Sequence, residues 1–149
     1  MYEYKLKKVV EFAETDLSGI MHFSNFFRYM EMAEHAFFRS LGCSVYPQNS
    51  KLNFIWPRVN AKCDFKQPLY FEDTVEIHLL VSEIKERSIQ YVFHFNKCLE
   101  KEFKNVAVGS LTVVCSLYDQ ATHTFKSTPI PAKIGDQIEV APDHLLQLY

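Results

Sequence analysis

Between Asn25 and Leu41 the apolar residues Phe26, Met30, Ala33, Phe37 and Leu41 step by four, three, four and four. That is the spacing of one helical face. Tyr29, Met32 and Ala36 add a second apolar stripe beside it, which leaves only the narrow polar strip Arg28, Glu31, His35 and Arg39. A helix apolar over most of its circumference has to be buried on most sides. Ser24 or Asn25 can supply an N-cap oxygen to the orphan amides of the first turn. Gly42 is placed to end the helix in a left-handed conformation. No second helical pattern of that length follows, so the cover for this helix must come from strands.

The rest of the chain supplies them. Tyr4 to Phe12 reads as a first strand, with charges between Leu6, Val9, Val10 and Phe12. Val59, Ala61, Cys63 and Phe65 alternate with polar partners and predict a half-buried strand. Lys66 to Asp73, which holds Pro68, reads as a turn. Val75, Ile77, Leu79 and Val81 alternate again, and so do Ile89, Tyr91, Phe93 and Phe95; Glu83 to Ser88 connects them as a hairpin. After a polar break over Lys97 to Asn105, Val106 to Tyr118 is one long β-rich run. The tail, with Pro129, Pro131 and Pro142, predicts short elements at most, with Leu145 to Leu148 as one docked turn. The order is strand, long helix, then four or more antiparallel strands, an α+β class in which a curved sheet of five or six strands wraps one helix. Such a sheet has edges to cover, and a second copy of the chain often covers them. At 149 residues the chain is most simply a single domain over 1–149.

Charge and composition exclude several function classes. A net charge of -2 without a dense Lys/Arg stripe leaves no footprint for nucleic acid. No apolar run approaches the length of a membrane span. The opening MYEYKLKKVVEF alternates apolar and charged residues and lacks a signal-peptide core. Cys43, Cys63, Cys98 and Cys115 form no CxxC pair, which predicts reduced, buried thiols in a cytoplasmic protein and no metal site. With 13 Phe and 8 Tyr, the chain carries more aromatic area than one small core needs, so some of it is available to line a pocket or a subunit interface.

The chemistry concentrates in ETDLSGIMHFSNFF, Glu14 to Phe27. This segment runs into the helix N-terminus, whose first amides lack internal acceptors and carry partial positive charge. Such amides can polarise a carbonyl or hold an oxyanion. Asp16 lies a few residues upstream, in a loop that Gly19 allows to turn sharply. A carboxylate facing a carbonyl held by helix amides is a minimal hydrolytic arrangement: the carboxylate attacks the carbonyl or deprotonates a water that does. An Asp before a helix also serves as an ordinary cap or turn residue.

The pattern T-D-x-x-G-I-x-x-x-x-N-[FY], here Thr15, Asp16, Gly19, Ile20, Asn25 and Phe26, resembles the signature of the 4-hydroxybenzoyl-CoA thioesterase family. The CDFKQPL segment and the AVGSLTVV strand also sit where that family has counterparts, and the resemblance spans roughly residues 4 to 118. It implies the hotdog fold, a dimer or a dimer of dimers, and hydrolysis of an acyl-CoA to a carboxylic acid and free coenzyme A. No metal or redox cofactor is implied, coenzyme A being part of the substrate. It makes Asp16 the catalytic carboxylate and the Phe23 backbone amide the donor to the thioester carbonyl, with Gly19 letting the loop approach the acyl group. Phe26 and Asn25 fall to substrate binding, with Phe23, Phe27 and Met30 as further pocket lining. Lys85, Arg87 and Ser88 fall where the family binds the coenzyme A phosphates, acting across a subunit interface.

Some positions depart from the family pattern. Met21 and His22 stand where a small branched residue and an aromatic are usual, and Phe23 where many members have His. His22 is then a shifted pocket residue, a partner that orients Asp16, or a polar residue at the helix entry. Glu72-Asp73 replaces the usual Gly-Asp and predicts a different turn. Other hotdog thioesterases carry the acid within the helix, which makes Glu31 and Glu34 rivals to Asp16. Two alternatives stay open beside the acyl-CoA reading: hydrolysis of an acyl group carried by acyl carrier protein, and a non-catalytic acyl-CoA-binding module.

Overall fold

The computed structural model describes residues 1–46 and 53–147. Its strands are β1 (Glu3–Val9), β2 (Phe54–Ile55), β3 (Arg58–Phe65), β4 (Thr74–Ile84), β5 (Ser88–Cys98), β6 (Phe103–Val114), β7 (Ser116–Asp119) and β8 (Thr124–Ser127). The long helix is α1 (Ser24–Ser40), and two single turns, α2 (Ala132–Gly135) and α3 (Asp143–Leu146), lie in the tail. The main sheet is antiparallel, in the order β1-β4-β5-β6-β3, and a small sheet β2-β7-β8 extends from it. This is the hotdog architecture: α1 lies in the curve of the five-stranded sheet.

Alternation in β4 and β5 creates the face that holds the helix. Val75, Ile77 and Leu79 on β4, and Tyr91, Phe93 and Phe95 on β5, are fully buried beneath α1. Phe26, near the helix start, meets Phe95 edge-on at 5.2 Å between ring centroids, and Phe37, near its end, meets Tyr91 at 6.3 Å. Complete burial of one such Phe stabilises the fold by roughly 1.5–3 kcal/mol. Gly109 on β6 admits the tip of Met30: a Cβ built there would stand 2.1 Å from Met30 Cε. Gly42 ends α1 at φ 74°, with the Cys43 amide donating to the Phe38 carbonyl and the Gly42 amide to that of Arg39, both at 3.0 Å. That is the Schellman pattern expected of a C-terminal glycine.

Several local expectations are corrected. The first strand stops at Val9, because Phe12–Glu14 turn into a short 3-10 helix and Phe12 is exposed. The helix N-cap is Phe23, in helical conformation and without a side-chain cap, instead of Ser24 or Asn25. β3 is an edge strand exposed on both faces of the single chain, with only Cys63 half-covered, so it does not show the half-buried pattern its alternation predicts. The long run after the polar break starts earlier, at Phe103, and splits into β6 and β7. Glu72 adopts φ 70°, a conformation open to glycine without strain. Of the four free thiols only Cys115 is buried; the others are half-covered. Burial and then Asp64 push the Cys63 thiol up to about 12. Of the predicted terminal turn, Leu145 and Leu146 fall in α3, whereas Leu148 lies outside the described residues. Among the described residues no helix is long and apolar enough to cross a membrane.

Candidate active site

The segment before α1 folds back as a small hairpin. The Asp16 amide donates to the Ile20 carbonyl and the Gly19 amide to the Asp16 carbonyl, both at 2.9 Å, with Gly19 at φ 79°. A β-bridge joins Thr15 to Met21, and another joins Ile20 to Tyr70. The Met21 amide donates to the Leu69 carbonyl at 2.7 Å, which ties the loop to the turn after β3. Within this hairpin one Asp16 oxygen accepts the Ser18 amide at 2.8 Å. The positive φ explains the glycine: a side chain at that position would strain the turn.

Asp16 opens onto a cleft of about 450 Å³, lined also by Ile20, Met21, Phe23, Phe26, Phe65, Lys66, Gln67 and Pro68. Its wall is aromatic. Phe65 packs edge-on against Phe26 at 5.0 Å and Phe23 at 6.5 Å between ring centroids. At the start of α1 the Asn25 amide donates to the His22 carbonyl and the Phe26 amide to that of Phe23. The Phe23 amide takes part in none of the hydrogen bonds among the described residues. Asp16, half-buried, and Phe23, whose amide stands at the helix N-terminus, therefore line one largely apolar cleft. That arrangement can hold a carbonyl oxygen on the amide and attack the carbon from the acid side.

The other expected site residues divide. Phe26 lines the cleft. Asn25 is buried and faces inward: its side-chain N–H donates to the Glu14 carbonyl at 2.8 Å, and its oxygen accepts from Arg28 at 3.1 Å. The bond to Glu14 ties the loop to the first turn of α1. His22 is exposed; its Nδ1 pairs with the Ser24 hydroxyl at 2.8 Å and faces the Ser24 amide at 3.3 Å, as a polar residue at the helix entry does. Met30 is buried against the sheet, and Phe27 borders a separate groove with Arg28, Glu31 and His35.

Lys85, Arg87 and Ser88 do not join Asp16 within one chain. Ser88 pairs with Val114, whereas Phe65 at the cleft pairs with Ala107. Seven residues along β6 at ~3.3 Å each put about 23 Å between the two levels. Lys85 faces Glu83 at 3.7 Å, and Arg87 donates to the Ser127 carbonyl at 2.9 Å. The rival acids are also elsewhere. Glu31 is exposed on the helix strip, 3.7 Å from Arg58. Glu34 is wholly buried against Arg58 at 2.5 Å, and burial holds its carboxyl above the ordinary range despite that partner.

Residues 65–68 end a strand and open a turn, and in the fold they form a wall of the cleft; an aromatic, Phe65, shortly before Pro68 is the local sign of it. Glu14, absent from the expected site residues, proves to be buried, with Oε1 accepting from the Tyr29 hydroxyl at 2.6 Å and from the Glu11 amide at 2.9 Å. The available signal was the spacing of two acids three apart, Glu11 and Glu14, which closes as a capping box.

A hotdog sheet around one helix, with Asp16 and Phe23 lining one largely apolar cleft, is an arrangement that can cleave an acyl thioester. The thioesterase-like superfamily matches residues 10–138, and the chain belongs to it; it is a thioester hydrolase. A 1,4-dihydroxy-2-naphthoyl-CoA hydrolase of Prochlorococcus marinus (strain NATL2A) is 31% identical over 118 residues, 72% of this chain and 76% of its own length. A solved gentisyl-coenzyme A thioesterase superposes with a TM-score of 0.74 at 29% identity, covering 89% of this chain and 99% of that one. The 4-hydroxybenzoyl-CoA thioesterase of Pseudomonas sp. strain CBS-3 shares the fold, with a TM-score of 0.78 at 16% identity over 91% of this chain and 99% of its own.

Proposed function

We propose that this protein hydrolyses an acyl-CoA, with Asp16 as the catalytic carboxylate and the Phe23 amide as the donor to the thioester oxygen. The observation that carries the proposal is the shared cleft: Asp16 and Phe23 line it together, and its remaining walls are apolar enough to take an acyl group. The 1,4-dihydroxy-2-naphthoyl-CoA hydrolase and the gentisyl-coenzyme A thioesterase, both named for coenzyme A thioesters, support the same donor. In the general-base form Asp16 takes a proton from water as the water oxygen bonds to the carbonyl carbon. The tetrahedral oxyanion rests on the Phe23 amide, then the C–S bond breaks and the thiolate leaves with a proton. In the nucleophilic form Asp16 itself bonds to the carbon, the thiolate leaves, and water cleaves the resulting anhydride. Both balance with water alone, so neither form needs an oxidant or reductant.

The working unit in this proposal is a homodimer or homotetramer in the cytoplasm. β3 supports it: an edge strand with Val59 60% and Phe65 49% exposed leaves backbone and apolar area for a second copy. Lys85, Arg87 and Ser88 then serve coenzyme A bound at the neighbouring chain's cleft. The test is release of free thiol from a panel of acyl-CoAs by the parent and by Asp16→Asn. A loss of about a hundredfold or more in the variant, about 2.7 kcal/mol in the barrier, with folding unchanged, is expected. Asn retains the oxygen that accepts the Ser18 amide, so the loop survives the change. A fully active Asp16→Asn removes Asp16 from the chemistry.

A further inference from the structure

We infer that Glu14 is a positioning residue for Asp16, acting with Tyr29 to hold the carboxylate-bearing hairpin at a set distance from helix α1. The inference rests on the catalytic reading of Asp16 given above. Glu14 closes the base of the hairpin two residues before Asp16. Its carbonyl accepts the His22 amide at 2.9 Å and the Asn25 side-chain N–H at 2.8 Å, so the two ends of the hairpin and the first turn of α1 meet on one oxygen. Its side chain, only 4% exposed, reaches the helix one turn further on. There Oε1 accepts both the Tyr29 hydroxyl and the Glu11 amide, and Oε2 faces the Arg28 guanidinium at 3.7 Å.

A buried carboxylate is costly unless its oxygens are engaged. Here every partner belongs either to the strap that carries Asp16 or to the helix that carries the Phe23 amide. Burial, and then the bond to Glu14, keep the Tyr29 hydroxyl protonated well above its usual range, so it stays a donor. Tyr29 is itself inaccessible, and Lys8 lies 5.7 Å over its ring. The link is therefore stiff. Loosening it lets Asp16 drift relative to the amide, while the cleft walls outside the hairpin, Phe26 on α1 and Phe65 and Pro68 beyond it, stay in place. A displacement near 1 Å at a reacting group costs up to about a hundredfold in rate.

The experiment compares kcat and KM for the parent, Glu14→Gln and Tyr29→Phe, each in the native and the Asp16→Asn background, on the acyl-CoA the parent cleaves fastest. Circular dichroism and urea midpoints check folding. The expected result is a fall in kcat of about tenfold or more for Glu14→Gln, with KM within about twofold. In the Asp16→Asn background the same substitution changes kcat by less than about twofold, because the group being positioned is gone. Tyr29→Phe keeps the carboxylate and its Glu11 bond, and carries the test if Glu14→Gln fails to fold; it is expected to shift kcat in the same direction. Unchanged kcat in the native background, or equal losses in both backgrounds, overturns the positioning role while leaving Asp16 catalytic. A parent that cleaves no thioester, or an active Asp16→Asn, overturns the catalytic reading and this inference with it.

Discussion

Arg58→Met is the most demanding test of how the edge strand is attached to the helix. Glu34 is 0% exposed; Oε1 is held by Arg58 Nη2 at 2.5 Å, and Oε2 has no hydrogen-bond partner among the described residues. Arg58 also donates to the Trp56 carbonyl at 2.9 Å. Methionine keeps much of the packing of the Arg stem but leaves a buried carboxylate uncompensated, which costs about 3–5 kcal/mol. For a chain this size that is a fall in Tm of roughly 6–20 °C. The pH dependence has a defined sign. Burial holds the folded Glu34 carboxyl above its unfolded value, so stability falls as pH rises from that value through the folded one. Arg58 opposes this by favouring the ionised form, and its removal extends the window upward. Urea unfolding at fixed protein concentration should then show a larger gap between parent and variant at pH 8 than at pH 5.5. Adding Glu34→Leu to Arg58→Met should recover most of the loss, because no buried charge remains. A variant within about 1 kcal/mol of the parent, with a gap that does not move with pH, refutes the reasoning.

Three further outcomes follow from single sites. Tyr91 is fully buried and its hydroxyl has no hydrogen-bond partner among the described residues, so Tyr91→Phe should be neutral or stabilising by up to about 1–3 kcal/mol, read from the urea midpoint; a clear destabilisation contradicts this. Gly42→Ala should cost about 1–2 kcal/mol because of its φ of 74° at the helix end, and a calorimetric Tm equal to the parent's argues against strain there. Burial, then His78 and Lys66, bring the His94 imidazole down to about 4 from its ordinary 6.5. The unfolded chain takes up that proton first, so stability should be lost as pH falls from about 6.5 toward 4. His94→Gln should flatten that slope, and an identical slope in both proteins assigns it elsewhere.

Periodicity alone determined much of this protein. The stepping of Phe26, Met30, Ala33 and Phe37 and the alternation at Val75–Val81 and Ile89–Phe95 are local consequences of 3.6- and 2-residue geometry, and each becomes a buried face. Gly42 and the loop of Asp16 and Gly19 were legible for the same reason: a positive φ has a short-range cause. Tertiary structure decided the rest, because it depends on what each face meets. β3 alternates as a half-buried strand does, yet at the sheet edge both its faces lie open in the single chain. Asn25 read as a cap, and its side chain instead braces the strap that folds back over it. Glu34 read as a rival to Asp16, and only the tertiary structure shows it wholly buried and paired with Arg58 of β3. The union of Asp16, Phe23 and Phe65 in one cleft depends on contacts across some fifty residues of chain, which no local spacing encodes.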